Sequence, residues 1–346
     1  MSNYLLDILV FVFLLFICIN AKYCKGFYDN YLSKNTTKSL KGILAIGILF
    51  HHISQNTSSG LIMRQFEGFG YLFVSGFFFI TSFGVCKQYF ENSNYKNKFL
   101  TRHILPIVIQ YVLVSIIYIA FYNLVLKERL TIVDIIGNIF SDYPLINFAW
   151  YLINILFFYV FFYLSMILGK TKKNIVIAIN LIGYFTYLTI CLLTNKPSFW
   201  YKSSFILIAG IIYSIYEQEI VSILKKYYKL VVPICIVVFV LLLRNYSIVD
   251  ISKFSMIIYN IFTTTLFIIL TIAFTLKFNI EDILLSKISN ISLELLLYQW
   301  FLLKGLKVVE NEIIYSLLVI ILSLFIATII KKIISLLNSF LFDKHI

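Results

Sequence analysis

Residues 38–55 read KSLKGILAIGILFHHISQ. A lysine, Lys41, opens an apolar run, and two histidines, His51 and His52, stand near its far end. Read as an α-helix, the eleven steps from Lys41 to His52 cover ~16 Å and just over three turns, so the two side chains share one face. His51 is turned about 80° away from that face, since each helical residue rotates about 100°. If the run spans a membrane, His52 is expected near the middle of the bilayer. An ionisable side chain is costly at that depth and marks a functional site by default.

The rest of the chain supports a membrane setting. Of 346 residues, 61% are hydrophobic and only 13% are charged, against about 45–50% apolar and ~25% charged in soluble domains. Basic residues exceed acidic ones, 29 to 16, but they flank apolar runs, which points to membrane topology and not to nucleic acid. The five cysteines, Cys18, Cys24, Cys86, Cys191 and Cys235, are scattered, with no CxxC or metal-ligand spacing. They read as small core residues, and no metal site is expected.

Apolar runs at about 4–21, 41–59, 67–87, 104–126, 148–169, 174–194, 204–217, 230–243, 255–277, 288–304 and 311–336 are candidate spans. The expectation is an all-α polytopic membrane protein, a bundle of about 10–11 transmembrane helices. The seventh and eighth runs fall short of the ~20 residues a straight span needs, so they are extended by uncharged neighbours, tilted less, or partly re-entrant. The first run lacks a basic leader and a small-residue cleavage site, and Lys22 and Lys25 follow it. It reads as an uncleaved span. With residues 22–41 inside and alternation thereafter, about two thirds of the 29 basic residues fall on inside segments, Lys170 and Lys344 among them. That bias places the N-terminus outside and the C-terminus in the cytoplasm. No internal repeat or low-complexity tract appears. The division is an extra N-terminal span with its basic loop (1–37), a main transmembrane domain (38–336) and a cytoplasmic tail (337–346).

On this map Lys41 lies at the cytoplasmic mouth of its span, on the same side as the basic loop bearing Lys96, Lys98, Arg102 and His103. Those residues either hold topology or form an electropositive mouth for the phosphates of an anionic donor. His52 either donates a hydrogen bond across a helix interface or lines a water-filled cavity as a general base. The polar run HHISQNTSS favours the second, because lipid offers it no partners. His51 is expected to pack or hydrogen-bond. Five of the 13 glycines, Gly60, Gly68, Gly70, Gly76 and Gly84, are bunched in one stretch; GFGYLFVSGFFF reads as a close-packed interface helix. Trp150, Tyr151 and Asn154 stand at the outer end of a span, as interfacial anchors or as a surface for a sugar ring. Glu294 and Gln299 are polar groups in an otherwise apolar span, with Glu294 expected to pair with a basic or hydrogen-bonding neighbour. The connection 127–147, with Asp134, Asp142, Tyr143 and Pro144, reads as a short amphipathic segment facing an extracytoplasmic partner.

Taken in order, these stretches resemble the acyltransferase-3 family of bacterial integral membrane acyltransferases. The 38–52 stretch is similar to that family's opening helix, in which an arginine precedes a histidine by eleven positions. YLFVSGFFFITSFG (71–84) resembles its Phe-rich helix, with Ser75, Gly76 and Phe77 in matching places. KNKFLTRHILP (96–106), AWYLINILFFYVFFYL (149–164), SSFILIAGIIYSI (203–215) and LLSKISNISLELLLYQW (284–300) resemble its later elements. The chain departs from the pattern at Lys41, where arginine is usual, at Gln299, where many members carry a second histidine, at Leu296, where they carry tyrosine, and at Phe99 in the basic pair. The resemblance implies transfer of an acyl group, usually acetyl, from cytoplasmic acetyl-CoA or another acyl-CoA to a hydroxyl of a cell-surface or lipid-linked glycan. It implies a multi-pass protein of the bacterial plasma membrane, with lipid, acyl-CoA and glycan as partners, no nucleic acid and no permanently bound cofactor. His52 would be the general base or a transient acyl carrier. Lys41, Arg102 and Lys98 would hold the donor, with His51, Ser75, Trp150, Tyr151, Glu294 and Gln299 in support. The alternative is a transporter or flippase of a lipid-linked sugar or polysaccharide, which shares basic mouths and mid-membrane polar groups. A structural scaffold would leave the Lys41–His52 spacing without a reason.

Overall fold

The computed structural model describes residues 4–139, 141–146, 148–169, 172–244 and 252–342. Apolar runs fold as helices because a helix bonds its own backbone polar groups, which lipid cannot do. In chain order the helices are α1 (Leu5–Asn20), α2 (Lys34–Ser54), α3 (Gly70–Glu91), α4 (Leu105–Phe121), α5 (Ile132–Gly137), α6 (Ala149–Gly169), α7 (Lys173–Leu193), α8 (Phe205–Ile215), α9 (Glu217–Lys226), α10 (Tyr228–Arg244), α11 (Lys253–Lys277), α12 (Ile283–Asn290), α13 (Ser292–Gly305) and α14 (Glu312–Phe342). Two residue pairs, Lys22–Tyr23 and Phe278–Asn279, form a short antiparallel ladder. The protein is an all-α polytopic membrane protein. Lys170, Lys344 and the end of the expected tail, residues 343–346, lie outside the described residues.

The span count differs from the expected 10–11. Seven helices among the described residues are long and apolar enough to cross a membrane, or eight if the pair α9–α10, bent by 93°, is one span. The difference has local causes. α1 has 16 residues and α13 has 14. α2 has 21 but carries Lys34, Lys38 and Lys41 in its first half. The short run at 204–217 is extended upstream by a tight turn from Ser198, giving an 18-residue candidate.

The chain forms two compact units, one comprising residues up to Phe73 and from Thr275 onward, the other Val74–Phe274. In the first, α2 is the central helix. Its N-terminus is capped by Ser33, whose hydroxyl also bonds Glu281 at 2.9 Å; Thr36 and Tyr28 reach the same carboxylate oxygen. Next, Ser39 exchanges hydrogen bonds with the backbone of Asp282, the residue that caps α12. Gly42 is then required for close approach. A Cβ there would lie 2.8 Å from the Leu285 carbonyl carbon and closer still to its oxygen, all rigid backbone. Gly42→Ala is therefore expected to cost ~1–3 kcal/mol or more by overpacking and to lower the thermal unfolding midpoint in detergent by several degrees. Gly84→Ala, with open space around the new Cβ, should not lower the midpoint and should raise it slightly, because alanine is the better helix former.

In the second unit, α6 packs on α7 and α7 on α8. Lys87 of α3 pairs with Glu217 of α9 at 2.9 Å. As the sequence suggests, α3 is well packed: 72% of its apolar window is buried, the largest share of the seven. The connection before α6 holds α5, begun by a reciprocal cap between Thr131 and Asp134. The Thr131 hydroxyl and backbone N–H bonded to Asp134 hold its carboxyl below the usual carboxylate range.

Candidate active site

α2 ends at Ser54, so His52 lies in its last turn rather than at the midpoint of a span running to residue 59. Lys41 lies three turns earlier on the same face, half-buried and without a hydrogen-bond or ion-pair partner among the described residues. His52 is 9% exposed. Its Nδ1 lies 3.1 Å from the Gln55 side-chain oxygen. An amide oxygen only accepts, so this contact is made by the tautomer with the proton on Nδ1 and the lone pair on Nε2. That tautomer is what a general base needs.

His51 has the packing role that its position off the face suggests. Its Nδ1 donates to the Phe66 carbonyl at 2.9 Å, its ring lies 4.8 Å from that of His52, and a Cβ on Gly70 would run into its imidazole. The loop between α2 and α3 is thereby held against the histidines. Two carboxylates hold the same loop from the other side. Asp7 of α1 accepts from the backbone N–H groups of Leu61, Ile62 and Met63 at 2.8–2.9 Å. Glu312 of α14 accepts from Ser58 and Ser59.

α13 runs beside α2 in the same direction: α12 meets it at Gly42, and Leu303 joins Leu49, Phe50 and Ile53 in one buried cluster. Tyr298 and Gln299 stand one turn or so before Leu303 on α13, which packs on α2. Both are buried. The Tyr298 hydroxyl and the Gln299 side-chain oxygen have no hydrogen-bond partner among the described residues. Burying such groups unpaired costs roughly 1–3 kcal/mol each, so these two atoms are available to a ligand with polar groups. Glu294, fully buried, pairs with Lys331 of α14 at 3.0 Å, the basic neighbour the sequence leads one to expect.

The first unit thus brings together Lys41, His51, His52, Glu294 and Gln299. Ser75, Lys98, Arg102, Trp150 and Tyr151 belong to the second. There Ser75 is fully buried, and Lys98 and Arg102 are exposed on the turns leading into α4. Tyr151 stacks on Phe78 with ring centroids 5.3 Å apart, and Trp150 packs on Phe199. Sequence reasoning missed Gln55, Asp7, Glu312 and Tyr298. Asp7 had a signal, a lone carboxylate in an apolar run.

Compared with known families, the chain matches a model described as an acyltransferase domain over residues 38–334. No curated protein and no solved structure matches it.

Proposed function

Because the chain belongs to the acyltransferase-3 family, and is thus a membrane acyltransferase, we propose that it moves an acyl group, acetyl in the first instance, from cytoplasmic acyl-CoA to a hydroxyl of a cell-surface or lipid-linked glycan. The observation that carries this reading is the face of α2, with Lys41, which has no hydrogen-bond or ion-pair partner among the described residues, three turns before His52, whose Nδ1 contacts the Gln55 side-chain oxygen. On α13 of the same unit, the Tyr298 hydroxyl and the Gln299 side-chain oxygen have no hydrogen-bond partner among the described residues.

The chemistry follows from the residues. Lys41 supplies positive charge to donor phosphates. His52 Nε2 takes the proton of the acceptor hydroxyl as its oxygen attacks the thioester carbonyl. The new O–C bond forms, the C–S bond breaks, and the proton passes from Nε2 to the leaving thiolate. Gln55 keeps the imidazole proton on Nδ1 throughout. The topology that goes with this reading has the N-terminus outside, the C-terminus inside and the plasma membrane as the site of action.

The test uses inside-out vesicles from cells expressing the protein, supplied with acetyl-labelled acetyl-CoA. Label in the glycan or lipid-linked sugar fraction, absent from vesicles lacking the protein, is the expected result. No transfer from acetyl-CoA or succinyl-CoA, with unlabelled glycan still moved across the membrane, would instead identify a transporter.

A further inference from the structure

At the α6 end of the second unit, three aromatic rings form a partly open surface. Tyr143 is 73% exposed, and its ring centroid lies 5.8 Å from that of Phe199. Phe199 lies 5.6 Å from Trp150. Asp142 stands beside them, its side chain 54% exposed and one oxygen held by Lys196 at 3.3 Å. The loops that present these groups are pinned by Trp200. Its indole N–H donates to the Asp142 carbonyl, and its own carbonyl accepts from Asn154 and Tyr187. Lys196 is fixed in turn over the Trp200 ring. Just before α6, Phe148 has φ +68, a left-handed conformation costly for an aromatic residue and of the kind that accumulates at binding sites.

We propose that Tyr143, Phe199 and Trp150, edged by Asp142, form a platform for a pyranose ring of a neutral or amino sugar. Aromatic faces carry negative charge and their edges positive charge, so a flat ring face suits the C–H groups on one side of a pyranose. A carboxylate held in place by Lys196 and still open to solvent accepts hydrogen bonds from hydroxyls. An interfacial aromatic belt accounts for rings near headgroups. It gives no reason for an anchored carboxylate at the edge of the rings. With Asp142 paired to Lys196, the edge carries no net charge, which suits a sugar without acidic groups. The platform's place in the reaction, as the acceptor's docking surface, rests on the function proposed above; its affinity for sugar does not.

Binding is read from tryptophan fluorescence of the purified protein in a detergent without a sugar head, titrated with cellotetraose, chitotetraose, maltotetraose and mannotetraose. At least one should give a saturable change, weakened about tenfold by Tyr143→Ala and by Phe199→Ala, equivalent to about 1.4 kcal/mol. Asp142→Asn should weaken it less, and Trp150→Phe should silence most of the signal. Tyr143 is exposed, so its loss leaves the fold in place. A saturable change with none of the four sugars overturns the proposal, as does binding that survives both alanine variants. A Tyr143-dependent change with phosphatidylglycerol vesicles and none with sugars also overturns it, identifying a lipid anchor. Because no acyl donor is present, an absence of acyl transfer in vesicles leaves this measurement standing by itself.

Discussion

His52→Ala is expected to lower labelled acyl transfer by at least about 10²–10⁴-fold, the contribution of a positioned general base, at matched protein levels in vesicles. Two variants separate chemistry from packing. Gln55→Leu leaves the imidazole in place but removes the acceptor that holds its proton on Nδ1, so kcat should fall by about tenfold with little change in KM for the donor. Gln55→Glu keeps an acceptor at that position and should retain most of the activity. His51→Ala removes the bond to the Phe66 carbonyl and should act through stability, lowering the unfolding midpoint. Full transfer by His52→Ala would place the chemistry on another residue. A fall in Gln55→Leu matched by a fall in its midpoint would reduce Gln55 to a structural role.

The sequence made the central face legible because helical periodicity depends only on spacing. Lys41 and His52 fall on one side of any α-helix that contains both. The extent of that helix was harder to read. The apolar run reads as 41–59, whereas the helix occupies 34–54, because its limits depend on partners remote in sequence. Ser33 and Thr36 at the start are tied to Glu281. The polar run after Ser54 folds back because Asp7 and Glu312 bind its backbone. Gln55 stood in plain view, yet its role follows from the end of the helix, which turns it back on His52. The bend between α9 and α10 falls at Tyr227–Tyr228, with no proline or glycine at the break, so nothing local announced it. Glu294 signalled a basic or hydrogen-bonding neighbour, but Lys331 is 37 residues away, and only the packing of α13 on α14 identifies it.

Asp7→Ala should be the most destabilising single substitution in the first unit. Asp7 is 5% exposed, and its two oxygens take the N–H groups of three consecutive residues, Leu61, Ile62 and Met63. Removing the carboxylate leaves those donors without their acceptor at roughly 1–3 kcal/mol for each that stays dry, so a loss of about 3 kcal/mol or more is expected. Glu312→Ala should cost less, because the groups it binds are nearer solvent, where water replaces a lost acceptor. Asp7→Asn should fall between wild type and alanine: its remaining oxygen accepts, but its amide group meets a backbone donor. Gly60 adds an independent check. It has φ +87, and a Cβ there would lie 2.8 Å from an Asp7 oxygen, so Gly60→Ala should reproduce the Asp7 defect from the other side of the contact. Thermal unfolding in detergent and limited proteolysis across residues 58–62 report the loss. Activity should fall with it, because the same loop continues to Phe66, whose carbonyl holds His51 against His52. An unchanged midpoint and uncut loop in Asp7→Ala would show that Glu312 alone secures the loop, and His52 would then owe its setting to α2 and Gln55 without help from α1.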